Sequence, residues 1–135
     1  MNSLLDTNIC IALIRQKSPQ LIKRLISLKP GEVGISSITL AELEYGVEKS
    51  SFREQNTRAL EQFLLPLEIL PFDEKAANIY GKIRSDLERT GQTVGPMDLL
   101  IAAHALSLQA TLVTNNLRKF ERVEGLKVED WISES

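Results

Sequence analysis

The sequence is poor in the residues from which the commonest catalytic centres are made. It has one cysteine, Cys10, and one histidine, His104. A single thiol excludes an intrachain disulfide, and one Cys with one His leaves no ligand pair for a tetrahedral zinc site. No G-x-S-x-G elbow accompanies His104, so a serine hydrolase would lack its nucleophile. The glycines, Gly91 and Gly95 among them, follow neither Walker A nor dinucleotide-binding spacing. Aromatic residues make up 5% of the chain, so platforms for stacking bases are sparse.

Long apolar runs are also missing. The richest stretch, Met97 to Leu108, contains Asp98 and His104 and is too short to cross a bilayer. The amino terminus has none of the layout of a secretory leader, and with a lone thiol this points to the reducing cytoplasm. Nor is there surplus basic charge: 16 Lys and Arg against 18 Asp and Glu give a net charge of −2. That counts mildly against nucleic-acid binding. Carboxylates gathered around a divalent cation are neutralised by it, however, and the Lys and Arg nearby then decide what a polyanion meets.

What remains is an ordinary globular composition, 43% hydrophobic and 25% charged over 135 residues, read as one domain spanning 1–135. Ser3-Leu4-Leu5 reads as a strand ending in the capping residues Asp6-Thr7-Asn8, with Ile9, Ile11, Leu13 and Ile14 continuing as a helix. Ser18-Pro19 starts a second helix with the stripe Leu21, Leu25, Leu28, and Lys29-Pro30-Gly31 turns the chain into a strand over Val33–Ser36. A cap near Ser37 opens a helix through Leu40, Leu43 and Val47, followed by an amphipathic helix from Phe52 to Leu65 and a strand from Leu67 to Leu70. Asp73 starts a helix carrying Ala76, Tyr80, Ile83 and Leu87, with Gly91 as its stop. A strongly apolar, central helix runs from Met97 to Gln109, then strands at Ala110–Val113 and Leu126–Val128. Strands alternating with helices predict a parallel sheet with helices on both faces, whose ligands gather at the carboxyl ends of the strands.

Asp6 and Thr114-Asn115-Asn116 fall at such ends, while Glu42 and Asp98 are placed in the first turns of their helices. Each acid has a structural explanation. Asp6 can cap a helix, Asp98 suits a helix dipole, and Glu42 follows Thr39 at capping-box spacing. Asp98, though, opens a largely buried helix, where its charge needs a positive partner. A hard cation such as Mg²⁺, which takes oxygen ligands and keeps several waters, supplies one. His104, mid-helix among Ile101, Ala102, Ala103, Ala105 and Leu106, reads as a satisfied buried histidine rather than a base. Phosphate contacts are expected from Arg118, Lys119 and Arg122, and from Lys82, Arg84 and Arg89.

Four segments carry a resemblance: Leu4-Leu5-Asp6-Thr7-Asn8, Ser36 to Gly46 (SSITLAELEYG), Val94 to Ala105 (VGPMDLLIAAHA) and Leu112 to Val123 (LVTNNLRKFERV). In order and spacing, from Leu4 to Trp131, they resemble PIN domains and, more narrowly, the VapC toxins of bacterial toxin–antitoxin pairs. The resemblance implies a three-layer α/β/α sandwich with a central, mostly parallel sheet. It implies a Mg²⁺-dependent endoribonuclease, with Mn²⁺ as a substitute, that inhibits translation and leaves a 5′-phosphate and a 3′-hydroxyl through metal-activated water. Asp6, Glu42 and Asp98 would be the catalytic acids and metal ligands, with Thr7, Thr114 and Asn115 in support. Many PIN domains carry a fourth acid where this chain has Asn115-Asn116, which leaves Asn116 or Glu121 to complete the site. The implied partners are a second copy of the chain, a VapB-type antitoxin whose C-terminal segment covers the acidic pocket, and structured RNA such as initiator tRNA. A non-catalytic PIN-like module that binds RNA or protein is the alternative.

Overall fold

The computed structural model describes residues 2–132; Met1 and residues 133–135 of the expected domain lie outside them. Leu4 and Leu5 are both fully buried, yet they point into different layers. Leu4 joins the cluster containing Leu99, Ile101, Ala102, Leu112 and Phe120, and Leu5 the cluster containing Ile9, Leu13, Ile35, Leu43 and Val113. Leu112 and Val113 repeat that alternation. Side chains of successive strand residues face opposite ways, so two apolar layers on one sheet require strands that are apolar at every position.

The strands are β1 (Ser3–Leu5), β2 (Val33–Ser36), β3 (Glu68–Leu70), β4 (Thr111–Val113) and β5 (Val128–Glu129), in the order β3-β2-β1-β4-β5. Every pairing is parallel, so the sheet is wholly rather than mostly parallel. The helices are α1 (Thr7–Ile14), α2 (Pro19–Ile26), α3 (Ser37–Glu48), α4 (Arg53–Leu64), α5 (Glu74–Arg89), α6 (Pro96–Leu108) and α7 (Leu117–Phe120). The first four bury Leu13, Leu21, Leu43 and Leu60 in one layer, and the last three bury Leu87, Ile101 and Phe120 in the other. The result is the expected three-layer sandwich.

Local sequence explains most boundaries. The side chains of Asp6, Ser18, Ser36 and Asp73 each accept a bond from the first turn of α1, α2, α3 and α5. Gly91, with φ +73°, ends α5 in a left-handed turn in which the Gln92 N–H donates to the Leu87 carbonyl at 2.9 Å. The short helix α7 was not expected; Asn116 starts it by accepting from the Lys119 N–H.

One topological point positions the site. The chain builds β1, β2 and β3 outward in one direction, then returns to place β4 and β5 on the other side of β1. The crevice at such a reversal, outside the carboxyl ends of β1 and β4, is where open α/β sheets bind ligands.

Candidate active site

Leu5 and Val113 are register partners on β1 and β4, so the next residues, Asp6 and Thr114, emerge together at the point of reversal. Both are buried, Asp6 at 4% exposure. Asp6 accepts a bond from the Ile9 N–H at 2.9 Å, and Thr114 gives it a further side-chain hydrogen bond. Burial nevertheless raises the pKa of this carboxyl above its ordinary value; Thr114 and Ile9 oppose the shift, Asp98 adds to it and Lys119 opposes it. The fold thus holds a carboxylate where its charge is costly and faces a second acid.

That second acid, Asp98, stands in the first turn of α6, after Pro96 at the helix start. Its Oδ2 accepts from Lys119 Nζ at 3.0 Å, the two side chains being about a third exposed. The positive partner required by the sequence is therefore, in this structure, an ammonium group delivered by α7. Glu42 lines the same groove as Asp98, from α3. Its expected placement in a first helical turn is corrected, because Ser36, not Thr39, caps α3 and bonds the Ile38 N–H at 3.0 Å. The capping-box explanation of Glu42 falls with it. Glu42 Oε1 instead accepts from the Thr7 hydroxyl, which also lies 3.3 Å from the Thr39 hydroxyl.

Thr7, Glu42, Asp98 and Lys119 are among the residues lining an open groove of about 680 Å³, with Asp6 buried next to Thr7 in the chain. The rest of the lining comes mostly from α1, α3 and α4 and is partly apolar, through Ile11, Ile14, Leu43, Tyr45, Val47 and Leu60. Asn8, read from the sequence as a capping residue, also lines it, as do Arg15 and Lys49, which had not been singled out. Helical spacing held that signal: 8, 11 and 15 form a row ending just past α1, and 42, 46 and 49 a row ending just past α3.

The remaining candidates are dispersed. Asn116 is exposed and its Oδ1 is engaged in capping α7 at 3.2 Å from the Lys119 nitrogen, while its own N–H donates to Thr114 Oγ1. Asn115, Arg118 and Glu121 are exposed and outside the residues lining the groove, Glu121 standing at the carboxyl end of α7. Arg122 donates to the Thr93 carbonyl, and Arg84 is held by Tyr80 and Glu88 on α5. Arg89 is bound to Asp86 and Ser85, and Lys82 is exposed on the same helix. His104 is 1% exposed and bonds Ser36 Oγ through Nδ1 at 2.8 Å, which excludes it as a base acting on a ligand in the groove.

Among the described residues, no three acidic, histidine or cysteine side chains converge into a ready-made metal cage. The donor chemistry still suits a hard cation: the carboxylates of Glu42 and Asp98 line one groove with Asp6 buried next to Thr7 of its lining, and Mg²⁺ takes only one or two directly, filling its shell with water.

The sequence pattern of the PIN domain matches residues 3–126. The chain belongs to the PIN domain family, within its VapC branch. It is 48% identical over 128 residues to the tRNA(fMet)-specific endonuclease VapC of Shigella flexneri, covering 95% of this chain and 96% of that one. The ribonuclease VapC2 of Rickettsia felis is 46% identical over 129 residues, with 95% and 96% covered. The crystal structure of VapBC2 from Rickettsia felis, bound to a DNA fragment from their promoter, superposes with a TM-score of 0.92 at 45% identity, covering 97% of this chain and 99% of that one. The PIN fold and the α/β sandwich read from the sequence are thus the same architecture. Among the described residues no helix is long and apolar enough to cross a membrane.

Proposed function

We propose that this VapC-family chain is the toxin of a VapBC-type pair: a Mg²⁺-dependent endoribonuclease, able to use Mn²⁺, that hydrolyses tRNA phosphodiesters and so inhibits translation. The observation that supports the reading is that Glu42 and Asp98, from α3 and α6, line one groove, while Asp6, buried at the reversal point of the sheet, lies within electrostatic reach of Asp98. Initiator tRNA is the substrate favoured by the name of the Shigella relative.

When bound, the divalent cation supplies a nucleophile at neutral pH and polarises the phosphoryl oxygen, with hydrolysis leaving a 5′-phosphate and a 3′-hydroxyl. The chain's own residues prepare its place. The Ile9 N–H and Thr114 fix the orientation of Asp6, the Thr7 hydroxyl fixes Glu42, and α6 presents Asp98. Lys119, Arg15 and Lys49 line the groove along which RNA phosphates would lie. The apolar wall between α1 and α3 suits a segment of a VapB-type antitoxin, which would close the groove and block the acids. A second copy of the chain completes the assembly as a homodimer in the cytoplasm.

Mapping RNA ends after brief expression tests activity and substrate together. New 5′-phosphate ends in initiator tRNA, suppressed by a co-expressed VapB-type protein, are the expected result; unchanged RNA ends contradict it. A non-catalytic binding module is favoured only by the Lys119–Asp98 pair, which satisfies one acid without a metal. Binding of tRNA without new ends would identify that case.

A further inference from the structure

The ion pair at Asp98 has a consequence for how many metal ions the groove takes. Lys119 is set in place by α7: its backbone N–H donates to Asn116 Oδ1, and the next residue, Phe120, is buried in the core. Its ammonium lies 3.0 Å from Asp98 Oδ2 and 5.9 Å from the Phe120 ring centroid. It also acts on Asp6 with the sign opposite to that of Asp98, so it stands within electrostatic reach of both acids. The pair engages one oxygen of Asp98 and leaves the other available.

Charge decides between one ion and two. The three carboxylates, the ammonium paired with Asp98 and one divalent cation are balanced, and Arg15 and Lys49, which also line the groove, add only positive charge. A second divalent cation would add two positive charges to a neutral cluster and would have to displace the ammonium from Asp98. We propose that Lys119 is a built-in cation of this site: its ammonium stands where a second divalent ion would otherwise sit, the chain takes a single divalent ion, and Lys119 meets an RNA phosphate in the groove. This rests on the metal-site reading of Asp6, Glu42 and Asp98. A lysine suits the role because its ammonium is a compact point charge on a flexible stem, able to shift from carboxylate to phosphate without leaving the groove.

The test counts Mn²⁺ bound to the purified full chain by electron paramagnetic resonance, beside Lys119→Met, Lys119→Glu and Asp6→Asn. Wild type binds one ion, and Asp6→Asn loses it. Lys119→Met binds that ion roughly tenfold tighter, because a unit charge near it has gone, and Lys119→Glu takes up a second. Without metal, Lys119→Met also lowers the salt dependence of tRNA binding by about one unit of log–log slope. Two ions on wild type, count and affinity unmoved by either Lys119 variant, or an unaltered salt slope would each overturn the proposal. Mn²⁺ binding indifferent to Asp6→Asn would instead remove the metal site on which it rests. Thermal melts close to wild type establish that the Lys119 variants are folded.

Discussion

Asp6 is a carboxylate held where folding favours its neutral form, since burial and Asp98 both raise its pKa. Replacing it with Asn, itself a good helix cap, therefore leaves the metal-free protein at least as stable at neutral pH while removing a proposed ligand. The expected outcome is a melting temperature in EDTA equal to or above wild type, with tRNA cleavage down by more than about 100-fold. That loss exceeds the roughly 10–100-fold typical of a residue that only supports a ligand, which is the range expected for Thr114→Val. His104 behaves in the opposite way. Burial lowers its pKa below 6.5, with Asp73 and a Pro71 backbone hydrogen bond opposing, so the native state binds fewer protons there than the unfolded chain. Its contribution to stability is present above about pH 6.5 and is lost as pH falls below it. Urea midpoints between pH 8 and 5.5 should fall less steeply in His104→Gln than in wild type. Asp98 and its need for a cation were readable in the sequence because the helix around it is so apolar. Its partner Lys119, 21 residues away, was read only as a phosphate contact, since ion pairing across that separation is set by the fold.

At the scale of elements, boundaries were legible wherever a cap or glycine marks them, as at Ser18 and Gly91. Ser36-Ser37 was ambiguous because either hydroxyl can cap, but either choice, unlike a cap at Thr39, leaves Glu42 beyond the first turn of α3. Ser36 has two duties, capping α3 through the Ile38 N–H and bonding His104 across the sheet. Ser36→Ala therefore removes a cap and leaves a buried imidazole nitrogen unpaired, a loss of about 2–3 kcal/mol in urea unfolding. The end of α6 offers the reverse case. Gln109 is exposed and left-handed, with φ 55°, where a side chain is strained and glycine is not. Gln109→Gly should raise stability by up to about 1 kcal/mol by the same measurement. The four-residue α7 escaped sequence reading because it is too short to show a helical period.

For the whole molecule, the alternation of strands and helices indicated a parallel sheet, but only the strand order reveals where the chain reverses and hence why Asp6 and Thr114 share a site. Four segments far apart in sequence then acquire a joint meaning: through α1, α3, α6 and α7 each lines a single groove. The candidates left outside it, such as Glu121 and Arg84, are acids and bases whose residue type fitted the chemistry but whose positions the fold directs elsewhere. The direct test of the central claim is cleavage of initiator tRNA by the purified chain in Mg²⁺, beside the same protein in EDTA and the Asp6→Asn and Asp98→Asn variants. Cleavage by wild type in Mg²⁺, leaving 5′-phosphate ends and nearly absent from the other three, is the predicted result; equal cleavage in all four would contradict a metal-dependent site built on these carboxylates.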